Sequence, residues 1–133
     1  MEIHAHEPAI QWRHKDEWKH SDKTFCVVVS RHTEGGDDPN RWCVYLHIWN
    51  NHKSFENFNP DGNMWDQPNF ECHSYVSYFK VNRDQAGKIV SYTLGWDYAH
   101  DGDFFGGYST KDEAWEVFMD AKKLVHEAKE RAQ

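Results

Sequence analysis

Residues 110–131 read TKDEAWEVFMDAKKLVHEAKER. Thr110 followed three residues later by Glu113 is a capping box, in which side chain and backbone at a helix start satisfy each other's hydrogen bonds. Ala114, Val117, Phe118, Ala121, Leu124, Val125 and Ala128 then recur at helical spacing. Acids crowd the first turn, and Lys129 and Arg131 occupy the last, as the helix dipole favours. The spacing predicts one long amphipathic helix over 110–131, with a single apolar face to lay on another layer.

That other layer is written in the segments before it. Residues 24–32, TFCVVVSRH, are β-branched and aromatic and read as a strand. After the turn TEGGDDPN comes RWCVYLHIWN, residues 41–50. It places Trp42, Val44, Leu46 and Ile48 on one face and Cys43, Tyr45, His47 and Trp49 on the other. Both faces are apolar enough to be covered, which predicts a central strand. Residues 73–82 and 88–98 predict a hairpin turning at Gly87, which can adopt positive φ. In the second of these, Val90, Tyr92, Leu94, Trp96 and Tyr98 alternate against Ser91, Thr93, Gly95 and Asp97, so one face is wet and the sheet antiparallel.

Two segments lack a period. Residues 1–23 are polar and histidine-rich, and read as an arm held down by Ile10, Trp12 and Trp18, with room for a fifth edge strand. Residues 51–72 form a long Asn-rich loop containing Phe55, Phe58, Met64, Trp65 and Phe70. A loop of that length inside a small domain is functional or covers something. The whole of 1–133 is predicted to be a single α+β domain: a four- to five-stranded, mostly antiparallel sheet with one long C-terminal helix packed on one face.

Composition narrows the function classes. Apolar residues make up only 38% of the chain, but aromatics reach 16%, and large rings compensate in area. No run approaches the ~18 apolar residues that cross a bilayer, and the N-terminus lacks the basic start and apolar stretch of a signal peptide. A cytoplasmic protein without membrane partner is expected. Cys26, Cys43 and Cys72 are odd in number and form no CxxC pair, so they read as reduced thiols. The net charge of −7 argues against direct nucleic-acid binding, which needs clustered Lys and Arg, and no basic groove accompanies the aromatics.

The charge is local. Residues 97–120 carry seven carboxylates (Asp97, Asp101, Asp103, Asp112, Glu113, Glu116 and Asp120) against one Lys111, which is −6 of the total −7. The run Asp97-Tyr-Ala-His100-Asp101-Gly-Asp103 is dense in oxygen ligands. As a calcium loop, though, it would place Tyr108 where a bidentate Glu is needed. The histidines lack the paired spacing of a zinc site, and no phosphate-binding loop or nucleophile elbow is present. No metal and no cofactor is expected.

In being small, acidic, aromatic-rich and free of catalytic signatures, the chain resembles in style accessory proteins encoded by phages or mobile elements. That resemblance covers no motif and transfers no residue. The acidic stretch leads to the expectation of a non-enzymatic binding module that occludes a basic, nucleic-acid-binding surface of a protein partner. Asp97, Asp101, Asp103, Asp112, Glu113 and Glu116 would supply charge, with Phe104, Phe105 and Tyr108 as anchors. Two alternatives stand beside it. One is a small acid–base hydrolase or nuclease built on His73, His100 and Asp97. The other is a homo-oligomeric assembly protein, with a homodimer as its simplest form.

Overall fold

The structure is a computed structural model that describes residues 4–6, 15–33, 39–99 and 102–133. Among the described residues six strands and one α-helix follow one another. They are β1 (His4–His6), β2 (Lys15–Ser21), β3 (Phe25–Thr33), β4 (Asn40–Trp49), β5 (Tyr78–Arg83), β6 (Ile89–Asp97) and α1 (Trp115–Arg131). All strands pair antiparallel in the order β1-β2-β3-β4-β6-β5. The α+β architecture is as expected. The sheet has six strands rather than four or five, because the N-terminal arm supplies both β1 and β2. Ile10 and Trp12 lie outside the described residues.

The register explains the core. Trp18, Val29, Val44 and Trp96 sit across from one another in four adjacent strands, as do Val27, Leu46, Leu94 and Phe79. With side chains alternating along each strand, one sheet face collects Phe25, Val27, Val29, Trp42, Val44, Leu46, Ile48, Tyr92, Leu94 and Trp96, all buried. α1 covers this face with Val117, Phe118, Ala121, Leu124, Val125 and Ala128, the residues that the helical spacing selects. Trp18 of β2 stacks on Trp42 at 5.6 Å and meets Phe118 edge-on at 5.1 Å, so one ring anchors an otherwise polar strand.

α1 starts later than expected, at Trp115. The capping-box bond is still made, since the Glu113 N–H donates to Thr110 Oγ1 at 3.2 Å, but it closes a turn that precedes the helix. β5 also starts late, at Tyr78, because the preceding residues leave the sheet edge. Ser74, with φ of 64°, is the one non-glycine residue at positive φ among those described.

β4 is central, as expected, yet its second face carries no covering layer among the described residues. Cys26, Val28, Cys43, Ser91 and Thr93 are nevertheless buried there, while Trp49 remains 37% exposed. Tyr45 lies over Gly95 so closely that a Cβ at that glycine would sit 2.5 Å from Tyr45 Cδ1. Gly87 takes φ of 85° in the β5–β6 turn, as predicted.

The long loop mostly packs down. Phe58 stacks on Tyr92 at 4.7 Å, and Phe70 is buried beneath the Arg131 guanidinium. The Gln67 side chain bonds the Asn59 N–H, the Asn59 carbonyl and the Asn63 carbonyl, closing the loop on itself. His52 is buried, and its Nδ1 accepts from the Ser54 N–H at 2.9 Å. Its proton therefore sits on Nε2, which donates to the Ala128 carbonyl at 2.9 Å and ties the loop to α1. Trp65 stays 72% exposed, stacked with Tyr75.

Candidate functional site

The acidic stretch leaves the sheet at the end of β6. Asp97 is the register partner of Cys43, so it belongs to the uncovered sheet face, where its Oδ1 accepts from the Ala99 N–H. Tyr98 turns the other way. Its N–H donates to the Trp42 carbonyl at 3.1 Å and its ring is buried under α1. The hydroxyl accepts from Trp96 Nε1 at 3.0 Å and donates to Asp120 Oδ2 at 2.6 Å. Burial, and then the Asp120 carboxylate that holds the proton, push this hydroxyl well above the usual phenol range.

His73 stacks on the Tyr98 ring at 4.5 Å, and its Nε2 lies 2.9 Å from Asp103 Oδ1. Asp103 is thus engaged by the His73 side chain and Asp120 by the Tyr98 side chain. The strained Ser74 backbone directly follows His73 and turns the chain away toward β5.

The loop after Asp103 is fastened from three sides. Asn40 Nδ2 donates to the Gly106 carbonyl, Trp42 Nε1 to the Tyr108 carbonyl, and Arg31 Nη1 to the Ser109 carbonyl, at 3.1, 3.0 and 2.6 Å. Arg31 is itself held by Asp16 at 2.7 Å. Phe105 tucks against Tyr98 at 4.9 Å and meets Tyr108 edge-on, so both work as packing, not as free anchors. Phe104 sits between these fixed neighbours and is 80% exposed. Beyond the loop, Asp112, Glu113 and Glu116 are exposed around the start of α1. The Ser109 N–H, followed by the Thr110 hydroxyl, holds the Glu113 carboxyl below the usual range.

The predicted binding residues therefore divide. Asp103, Phe104, Asp112, Glu113 and Glu116 belong to the loop and helix start, Phe105 and Tyr108 pack inward, and Asp97 faces the other side of the sheet. Of the alternative acid–base set, the two described members, His73 and Asp97, are not brought together. His73 lies with Tyr98 on the helix side, Asp97 points away from it, and the partner that His73 does find is Asp103. His100 and Asp101 lie outside the described residues. Sequence reading missed the roles of Tyr98 and Asp120, although the alternation that puts Tyr98 on the apolar face pointed toward the first.

Burial raises the pKa of each of the three free thiols, with carboxylates including Asp120 and Glu127 adding to it at Cys72, so none is primed as a nucleophile. Among the described residues no group of three or more His, Cys, Asp or Glu side chains is placed to hold a metal ion. No helix among them is long and apolar enough to cross a membrane. Comparison with protein-family models, with curated proteins and with solved structures found no match to this chain.

Proposed function

We propose that this chain is a non-enzymatic binding protein that docks on a basic surface of a partner protein through Phe104 and the carboxylates around it. The observation that carries the proposal is Phe104 itself, 80% exposed on a loop bolted to β3 and β4 by three hydrogen bonds. A large ring held in water by a rigid backbone loses little entropy on docking and is the kind of residue that dominates interfaces. Asp112, Glu113 and Glu116 add fixed negative charge, which steers a basic partner and resembles a phosphate array. A nucleic-acid-binding surface of a host enzyme, met in the reducing cytoplasm where three free thiols persist, fits that chemistry.

The test is a tagged pull-down from native-host lysate at low and high salt, with Phe104→Ala and Asp112→Asn alongside. The expected result is a stoichiometric partner captured at low salt, diminished at high salt, and lost with Phe104→Ala while the melting temperature stays the same. A partner retained by both variants would remove the proposal.

One observation favours the acid–base alternative: the Asp103 carboxylate orients the His73 imidazole, as in general-base dyads. Hydrolysis of activated esters or phosphodiesters that disappears in His73→Asn would establish it. Absence of turnover in the wild-type protein would retire it.

A further inference from the structure

Two of the three bonds that fasten the Phe104 loop are made by side chains that β2 holds in turn. Asp16, Arg31 and Trp42 are cross-strand neighbours in β2, β3 and β4. Arg31 Nη2 donates to Asp16 Oδ2 at 2.7 Å and Nη1 to the Ser109 carbonyl at 2.6 Å. The Arg31 side chain is only 13% exposed, and its buried Nε meets no acceptor among the described residues, so these two bonds orient it. Further along β2, Trp18 stacks on Trp42, whose Nε1 donates to the Tyr108 carbonyl. The third bond does not depend on β2: Asn40, which donates to the Gly106 carbonyl, is held by the Thr33 hydroxyl of β3.

We infer that β2 is a latch on the Phe104 loop. Asp16 and Trp18 are positioning residues: they place Arg31 and Trp42, which in turn place Tyr108 and Ser109. A largely buried cation stays inside only while a counter-charge faces it. Without Asp16 the guanidinium is better solvated by swinging out, and its bond to Ser109 goes with it. Without the Trp18 face the Trp42 ring has room to tilt, and its N–H loses the Tyr108 carbonyl. Lifting β2 off β3 breaks both bonds at once. β2 is open to such lifting, since among the described strands only the three-residue β1 lies outside it. The fraction of molecules with the loop in place then scales the apparent affinity of anything that docks there. Reciprocally, a partner seated on Phe104 holds β2 down. The consequence for docking rests on the proposed function; the coupling of β2 to the loop belongs to the chain alone.

The experiment is residue-resolved hydrogen–deuterium exchange on the full chain without a partner. The reporters are the Tyr108 and Ser109 amides, which donate to the Phe105 carbonyl and to Glu113 Oε1, read against the amides of β4 and β6. Asp16→Asn, and separately Trp18→Leu, are each expected to lower the relative protection of both reporters by about tenfold. In an Arg31→Gln background, Asp16→Asn is expected to change them no further, because it acts through the guanidinium. Reporters that keep their relative protection in both single variants overturn the inference, as does an Asp16→Asn effect that survives intact in the Arg31→Gln background. With a captured partner, Asp16→Asn is expected to weaken binding by the same factor as it loosens the loop. A loosened loop with undiminished capture would count against docking through Phe104 and leave the latch standing.

Discussion

Replacing Tyr98 by Phe removes one oxygen from a buried junction and leaves the ring in place. That oxygen serves two partners: it accepts from Trp96 Nε1 at 3.0 Å and donates to Asp120 at 2.6 Å. Trp96 is only 2% exposed, so its N–H would be stranded without water, at a cost of about 1–3 kcal/mol. The bond to a carboxylate contributes about 1.5–3 kcal/mol in a dry site, but Asp120 is half-exposed and can turn to solvent, which reduces this to roughly 1 kcal/mol. The loss is then about 3 kcal/mol. For a 133-residue chain, at roughly 3 °C per kcal/mol, this lowers the melting temperature by about 10 °C. Thermal and urea denaturation of the variant measure it directly. Trp96→Phe and the double variant complete a cycle. With both partners gone no donor is stranded, so the double loss should fall short of the sum of the single losses by about 1 kcal/mol or more. A Tyr98→Phe loss below about 0.5 kcal/mol, or strict additivity in the cycle, would refute a buried shared hydroxyl.

Gly95→Ala is expected to destabilise by about 1–3 kcal/mol, because its Cβ would press on Tyr45, and urea titration should show the cost shrinking in a Tyr45→Ala background. Ser74→Gly should stabilise by up to about 1 kcal/mol in the same assay, since its φ of 64° strains any residue with a Cβ. The Glu113 carboxyl sits below its ordinary value, so the stability it contributes is complete above about pH 4.5 and is lost as the pH falls through the lowered value. Glu113→Gln should therefore flatten the acid limb of a stability–pH curve and leave the neutral limb nearly unchanged in slope.

Legibility followed the strength of each local pattern. β3, β4, β6 and the buried face of α1 were readable because their apolar residues repeat with a period of two or 3.6. β2 was not, because KDEWKHS offers the core only Trp18, flanked on the same face by Asp16 and His20, and a partner strand supplies the rest. The start of β5 was misplaced because HSYVSYF alternates well, while Ser74 breaks the strand and frees His73 to lie on Tyr98. Net charge was legible as a sum but not as a surface. Pairings such as His73 with Asp103, thirty residues apart, and Tyr98 with Asp120 form only when the sheet and helix close, so no local spacing announces them.

The strand order also bears on how the chain matures. β2, β3 and β4 pair with their neighbours in sequence, and so do β5 and β6, but the β4–β6 seam joins Cys43 to Asp97 and Trp49 to Ser91. During synthesis β4 therefore emerges with one edge unpaired, and that edge waits until residues 50–97 have left the ribosome. An exposed edge along a strand this rich in Trp, Val, Leu and Ile invites pairing with another nascent chain. Chains stopped before Asp97 should aggregate, and the high contact order of the seam should set the folding rate.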